Sequence, residues 1–227
     1  QPKWPFQQRR VSVLVIVLSL MLTLMSATGR GEDRVLFRED FRDLENWRPL
    51  HFPKIAAHTR YVVESKDQSN VLKAVSRASA SALVYGKIFN VYEYPRARWR
   101  WKVDNVYRNA NPGEKSGDDY PLRIYFTFSY DPLKAKPLEK LQYGIARQLY
   151  GEYPPHSTLS YVWASQGGQE RLMTSPYTDR AKLIALQRGS EKAGGWQIEE
   201  VNILEDYRLA FGMDPPASAS FAVMNDS

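Results

Sequence analysis

The chain has 227 residues, 43% of them apolar and 25% charged, a formal net charge of +6, and no cysteine. That apolar fraction excludes a disordered chain, and ordinary usage of glycine and proline excludes collagen-like and low-complexity classes. The missing thiols exclude disulfides, thiol nucleophiles and Cys-based zinc or iron–sulfur sites.

Targeting comes first in chain order. Lys3, Arg9 and Arg10 precede an uncharged run from Val11 to Gly29, most apolar over Val11 to Met25, and Ala27-Thr28-Gly29 supplies small residues for a cleavage region. A basic flank, an apolar stretch and then small residues is the layout of an export signal. As a helix the run spans ~28 Å, close to the hydrocarbon thickness of a bilayer, so it is also long enough to stay as an anchor. The positive flank would stay cytoplasmic and the body would lie outside, periplasmic or extracellular. Residues 1–29 hold three bases and no acids, which leaves the body with 28 basic and 25 acidic residues, net +3. No nucleic-acid footprint is expected from so small an excess, and the only membrane contact expected is through the N-terminal segment.

Residues 30–227 read as a single domain built mostly of strands. Period-2 alternation is clearest in Arg96-Ala-Arg-Trp-Arg-Trp-Lys-Val103. There the bases share one face, and Ala97, Trp99, Trp101 and Val103 share the other, the core side. In Leu122–Tyr130, Leu122, Ile124, Phe126 and Phe128 oppose Arg123, Tyr125 and Thr127. Further strands are expected at 35–38, 60–65, 71–76, 81–90, 158–164, 182–188, 196–201 and 219–224. Many short strands separated by turns predict a two-sheet antiparallel β-sandwich, and the body also resembles lectin-type jelly-roll sandwiches at the level of fold alone.

Two helices interrupt this pattern. Leu138, Leu141, Ile145 and Leu149 form one stripe between Pro137 and Gly151. The second helix spans 202–212, with Asn202 as N-cap, Glu205 three residues on, and Gly212 placed to end it. The first residue is not Met and the chain stops just after the strand-like run 219–224, so both ends read as fragment ends, and a missing final strand would leave a sheet edge unpaired.

Several runs occur together and in order. They are Glu39-Asp-Phe41 with Trp47, Val71-Leu-Lys-Ala74, Ser79-Ala-Ser81-Ala-Leu83 and Trp99-Arg-Trp-Lys-Val103. After these come Gly117-Asp-Asp-Tyr120 with Arg123-Ile-Tyr-Phe126, Leu159-Ser-Tyr-Val-Trp163, and Glu205-Asp-Tyr-Arg208 with Phe211-Gly212. Over roughly residues 35–227 the chain resembles the bacterial domain of unknown function 3047 family. The resemblance implies an exported body and a closing segment after Met224, an Asp- and Thr-rich turn followed by a last strand. It implies no activity.

The candidate chemistry is polar. Arg100 and Lys102 project from one strand, Arg123 and Tyr125 from another, and Asp118-Asp119 sits in the loop that feeds the second. If the strands are neighbours, these six residues form one ligand-binding surface, with Asp119 fixing the arginines. Arginine forks and a phenol suit carboxylates, phosphates and sugar hydroxyls. The other reading of the basic strand is a solvated face with its aliphatic stems on the sheet. The Asp pair suits an ion pair with Arg100 or Arg123, a structural calcium, or an acid–base role in glycoside hydrolysis. Glu39, Asp40 and Asp43 with Asp226 offer a second calcium position if the terminal strands pair. No other cofactor is expected. His51, His58 and His156 lack metal-ligand spacing, and no nucleophile elbow, phosphate loop or dinucleotide fingerprint occurs. The expected function is non-catalytic binding of a glycan or a small anionic polar ligand. A glycan-active hydrolase or lyase and a structural cell-envelope module stand as alternatives.

Overall fold

The computed structural model describes residues 34–66, 69–133, 135–150 and 153–227. The expected export segment lies outside the described residues. The body is mainly β with two helices, and Arg38–Ser227 form one compact unit. Its strands are β1 (Trp47–His51), β2 (Arg60–Lys66), β3 (Ser69–Val75), β4 (Ala80–Tyr85), β5 (Phe89–Asn90), β6 (Arg96–Trp101) and β7 (Leu122–Phe128). They continue as β8 (Ser157–Ala164), β9 (Leu172–Thr174), β10 (Ala181–Arg188), β11 (Gln197–Asn202) and β12 (Ser218–Asp226). Helix α1 (Pro137–Tyr150) lies between β7 and β8, and α2 (Ile203–Phe211) between β11 and β12.

Seven strands form one path in the order β1-β4-β12-β7-β8-β10-β9, and β5 adds to β12. β6 pairs with β11, and β2 with β3, each as a separate ribbon. The last strand in sequence is thus central in space, held antiparallel between β4 and β7. An all-antiparallel sheet was expected, but β8 and β10 run parallel. The cause is the path of the chain. It leaves β8, forms the short edge strand β9, and turns back antiparallel to β9 into the gap beside β8. Two reversals make β10 parallel to β8.

Two further expectations are corrected, and the stripe of α1 receives a location. No strand forms at 35–38; the first strand is β1, an edge strand carrying Pro49, where the missing N–H interrupts only one side of the ladder. The run 81–90 breaks at Gly86, whose N–H donates to Asn46 O at 2.7 Å, and resumes as the two-residue β5. The leucine stripe of α1 does not enter the core: Leu138, Leu141 and Ile145 are 66%, 61% and 52% exposed.

The second helix matches its sequence signals. Asn202 is extended and its side chain accepts the Glu205 N–H, while Gly212 adopts φ 67° and closes the last turn onto Arg208 O. A side chain at that left-handed position would be strained.

Alternation in β7 separates two environments. Phe126 and Phe128 join Leu159, Tyr161, Ile184, Val201, Ile203 and Tyr207 in the main core. That core lies between the large sheet and the β6–β11 ribbon with α2. Trp101, buried as its place on the core side of β6 predicts, meets the buried Trp163 in an adjoining cluster with ring centroids 5.9 Å apart. The Trp101 indole N–H donates to Glu199 at 3.0 Å, so its one polar atom is satisfied. The opposite face of the sheet carries Arg123 and Tyr125 from β7, and Ala222, Met224 and Asp226 from β12.

Candidate functional site

The loop between β6 and β7 delivers the acidic pair. It is pinned by a small bridge, in which Asn111 N–H donates to Gly117 O at 2.8 Å and Gly117 N–H to Glu114 O at 3.1 Å. The approach at Gly117 requires glycine, because a Cβ there would lie 2.6 Å from the Asn111 backbone nitrogen. The next residue, Asp118, is thereby turned inward onto β7.

Arg123 is the centre of the site. It is 3% exposed, and its guanidinium is engaged from both sides. Nη1 donates to Asp118 Oδ2 at 3.0 Å and Nε to Asp226 Oδ1 at 3.2 Å. Nη2 donates to the Asp118 carbonyl and to Asp226 Oδ2. Its plane lies 4.5 Å from the centroid of the Tyr120 ring, a cation–π contact. The Tyr120 backbone N–H also donates to Asp226 Oδ1, at 3.2 Å. The cluster contains one positive group and two carboxylates, all buried.

Burial raises the pKa of Asp118 and of Asp226; the attraction of Arg123 opposes this without cancelling it. Burial also works against the charge of Arg123, but Tyr125, Asp226 and Asp118 together hold its pKa above the ordinary value. Asp118 Oδ1 is buried and has no hydrogen-bond partner, and the same is true of Asn225 Oδ1 one residue before Asp226. A buried acceptor without a donor is costly, so these atoms mark where a donor would be stabilised.

Phenols surround the cluster. Burial, with the nearby Asp118 carboxylate, pushes Tyr120 up to about 12. Tyr61 and Tyr125 are raised chiefly by burial, and both feel the charge of Asp226. Tyr107 and Tyr177 are raised in the same way, chiefly by burial with a contribution from these acids. Tyr61 donates to Ser81 O at 2.5 Å and Tyr125 to Met224 Sδ at 3.3 Å. Tyr177, 60% exposed, donates to Lys115 O at 2.9 Å and ties the acidic loop to the β9–β10 connection.

The six residues singled out in the sequence separate into two groups. Asp118, Arg123 and Tyr125 come together, with Asp119 half-buried beside them. Arg100 and Lys102 do not join them, because β6 pairs with β11 and not with β7. Arg100 lies over Trp196 at 4.8 Å and donates to Ser69 Oγ at 2.6 Å, while Lys102 pairs with Asp104 at 3.0 Å. The groups that hold Arg123 are Asp118 and Asp226, not Asp119. Glu39 accepts from Trp47 Nε1 at 3.1 Å, whereas Asp226 serves Arg123. Among the described residues no group of three or more His, Asp or Glu side chains is arranged to hold a metal ion.

Sequence reasoning missed Asp226, Tyr120 and Tyr107 as parts of this site. The signal for Asp226 was present: Ala222, Met224 and Asp226 alternate onto one face, and Met224 pairs in register with Arg123.

The fold and site define a mainly β protein with a neutralised arginine buried beneath one face of its large sheet. The family model described as protein of unknown function (DUF3047) matches residues 45–227, and the chain belongs to that family. The Glu39-Asp-Phe41 run lies ahead of the matched span. No curated protein matches the chain.

Proposed function

We propose that this protein is an exported, non-catalytic binder of a hydroxyl-rich ligand, a glycan, held beside Asp118, Asp119 and Tyr125. The observation that carries this reading is an arginine already matched by two buried carboxylates, with the half-buried carboxylate of Asp119 at the edge of the cluster. Such a centre repels an anion and accepts hydrogen bonds from a donor, which a sugar hydroxyl supplies. Half-buried and exposed phenols around it offer flat apolar surface with polar tips, suited to a sugar ring. The anionic-ligand form of the reading loses support at Arg123, whose donors are nearly all committed.

On this reading the large sheet and the β6–β11 ribbon are the two layers of a lectin-like sandwich. The parallel β8·β10 pair sets it apart from an all-antiparallel jelly roll. The Val11–Gly29 run would export the body. Among the described residues no helix is long and apolar enough to cross a membrane. Fractionation of the producing cell tests export: the body is expected outside the cytoplasm, and full-length protein soluble inside it would contradict the proposal.

A glycan array tests the binding. Wild type and Arg100→Ala are expected to bind the same neutral glycans, and Asp119→Ala to lose them. Loss in Arg100→Ala with retention in Asp119→Ala would move the site to the β6–β11 ribbon. The raised pKa of Asp118 favours one second reading, a glycan hydrolase with Asp118 as the proton donor. Cleavage of an array ligand by wild type but not by Asp118→Asn would establish it and remove the non-catalytic reading.

A further inference from the structure

A cleft of 340 Å³ opens where α1 and the end of α2 meet the starts of β8 and β10. That volume is within the range of small-molecule sites. The cleft shares no residue with the proposed glycan site. Its floor is polar: Ser157 and Tyr207 are buried, their hydroxyl oxygens lie 2.8 Å apart, and Ser157 Oγ is 3.1 Å from His156 Nδ1. One wall is apolar, made by Phe211, stacked on Tyr207 with centroids 4.3 Å apart, and by Met213, 57% exposed.

Four charged side chains line the cleft, two of each sign. Arg180 and Glu139 are committed to each other at 3.7 Å. Arg180 also donates to the Tyr143 hydroxyl, and Glu139 accepts the Lys136 backbone N–H at 3.2 Å. Burial and the charge of Arg180 hold His156 below the ordinary histidine range, against a smaller pull from Glu139, so it adds no charge at neutral pH. Lys182 and Asp179 remain. Lys182 donates to Thr174 Oγ1 at 2.8 Å and lies 5.7 Å from the Phe211 ring centroid, and Asp179 accepts from the Thr178 hydroxyl at 3.5 Å. Among the described residues neither has an oppositely charged partner.

An uncommitted base, an uncommitted acid and an apolar wall in one cleft match a molecule that carries both charges and an apolar group. A simple anion would meet Asp179 uncompensated, and a simple cation would meet Lys182. Phe211 closes the last turn of α2, whose negative end favours the cationic part of such a molecule. We infer that this cleft is a second ligand site, for a zwitterionic α-amino acid with an apolar side chain. Its carboxylate meets Lys182 and the hydroxyls of the floor, its ammonium meets Asp179 and the carbonyl end of α2, and its side chain lies on Phe211 and Met213.

Fluorine NMR of the full chain tests this with L-para-fluorophenylalanine beside two analogues that each lack one charge, para-fluorophenylpropanoate and para-fluorophenethylamine. The amino acid is expected to show saturable broadening, and each analogue to bind about tenfold more weakly, the equivalent of one charge-assisted hydrogen bond. Lys182→Met should bring the amino acid down to the affinity of the amine, and Asp179→Asn to that of the propanoate, with melting midpoints near wild type. Asp119→Ala and Arg100→Ala should bind it as wild type does, so this site and the glycan site are read apart. The ranking of the three ligands on wild type decides without any variant. A propanoate that binds as tightly as the amino acid would make the cleft an anion site and overturn the inference, and an equally tight amine would overturn it from the other side. So would the absence of saturable binding, or unchanged binding in both Lys182→Met and Asp179→Asn.

Discussion

Arg123 carries two carboxylates in a space closed to water, and its replacement separates structural from ligand roles. Arg123→Met leaves Asp118 and Asp226 buried together without their cation, which costs about 3–5 kcal/mol by the usual penalty for breaking a buried pair. Urea unfolding should read that loss. A change near zero would mean that the pair is solvated. The same residues set a pH dependence. Both acids have folded-state pKa values above their unfolded ones, so between these values the folded state binds more protons and stability falls as pH rises. Their contribution is fully present below the ordinary aspartate value of about 4 and is lost as pH climbs through the raised values. Unfolding midpoints followed upward from pH 4 should decline in wild type relative to the Asp118→Asn, Asp226→Asn double variant; a relative rise would contradict the sign. At this scale the sequence was partly readable. Alternation placed Arg123 and Tyr125 on the face opposite the phenylalanines. It could not show that Arg123 is buried, because that depends on Asp118 folding inward and on β12 arriving from a hundred residues away.

Elements were legible where local chemistry decides them. Asn202 and Gly212 bound α2 because a side-chain oxygen satisfies a free N–H at one end and a left-handed residue closes the other. Asn202→Ala should therefore cost about 1 kcal/mol, and Gly212→Ala about 1 kcal/mol from its positive φ. Thermal melts of the two variants check this; an unchanged Gly212→Ala would mean that α2 ends by other contacts. The β6–β11 ribbon is fixed by its tryptophans. Trp101, 2% exposed against Trp163, should cost about 3–5 kcal/mol when cut to alanine. A variant that stays as stable as wild type would place that indole outside the core. Elements were illegible where distant pairing decides them. Pro49 hides β1 because a strand tolerates proline only at an edge, and sequence does not reveal edges. β9 has three residues, too few for a period. The parallel β10 follows from a chain path that no alternation encodes. The α1 stripe had the right period, but period says only that a face is apolar, not that the molecule itself covers it.

At the scale of the whole molecule, the large sheet has two unlike faces. One is closed by the β6–β11 ribbon and α2 around a core of aromatic rings. The other carries the arginine–carboxylate cluster among phenols, with a buried carboxylate oxygen still lacking a donor. This asymmetry follows from the alternation of β7 and β12, and it is why the proposed binding surface lies on the second face. The most direct measurement is affinity electrophoresis of the full chain through gels containing a neutral β-glucan or polygalacturonate, run beside Asp119→Ala and Arg100→Ala. Retardation by the neutral polymer, kept in Arg100→Ala and lost in Asp119→Ala, is the predicted result. Retardation by polygalacturonate alone, abolished by Arg100→Ala, would contradict the account.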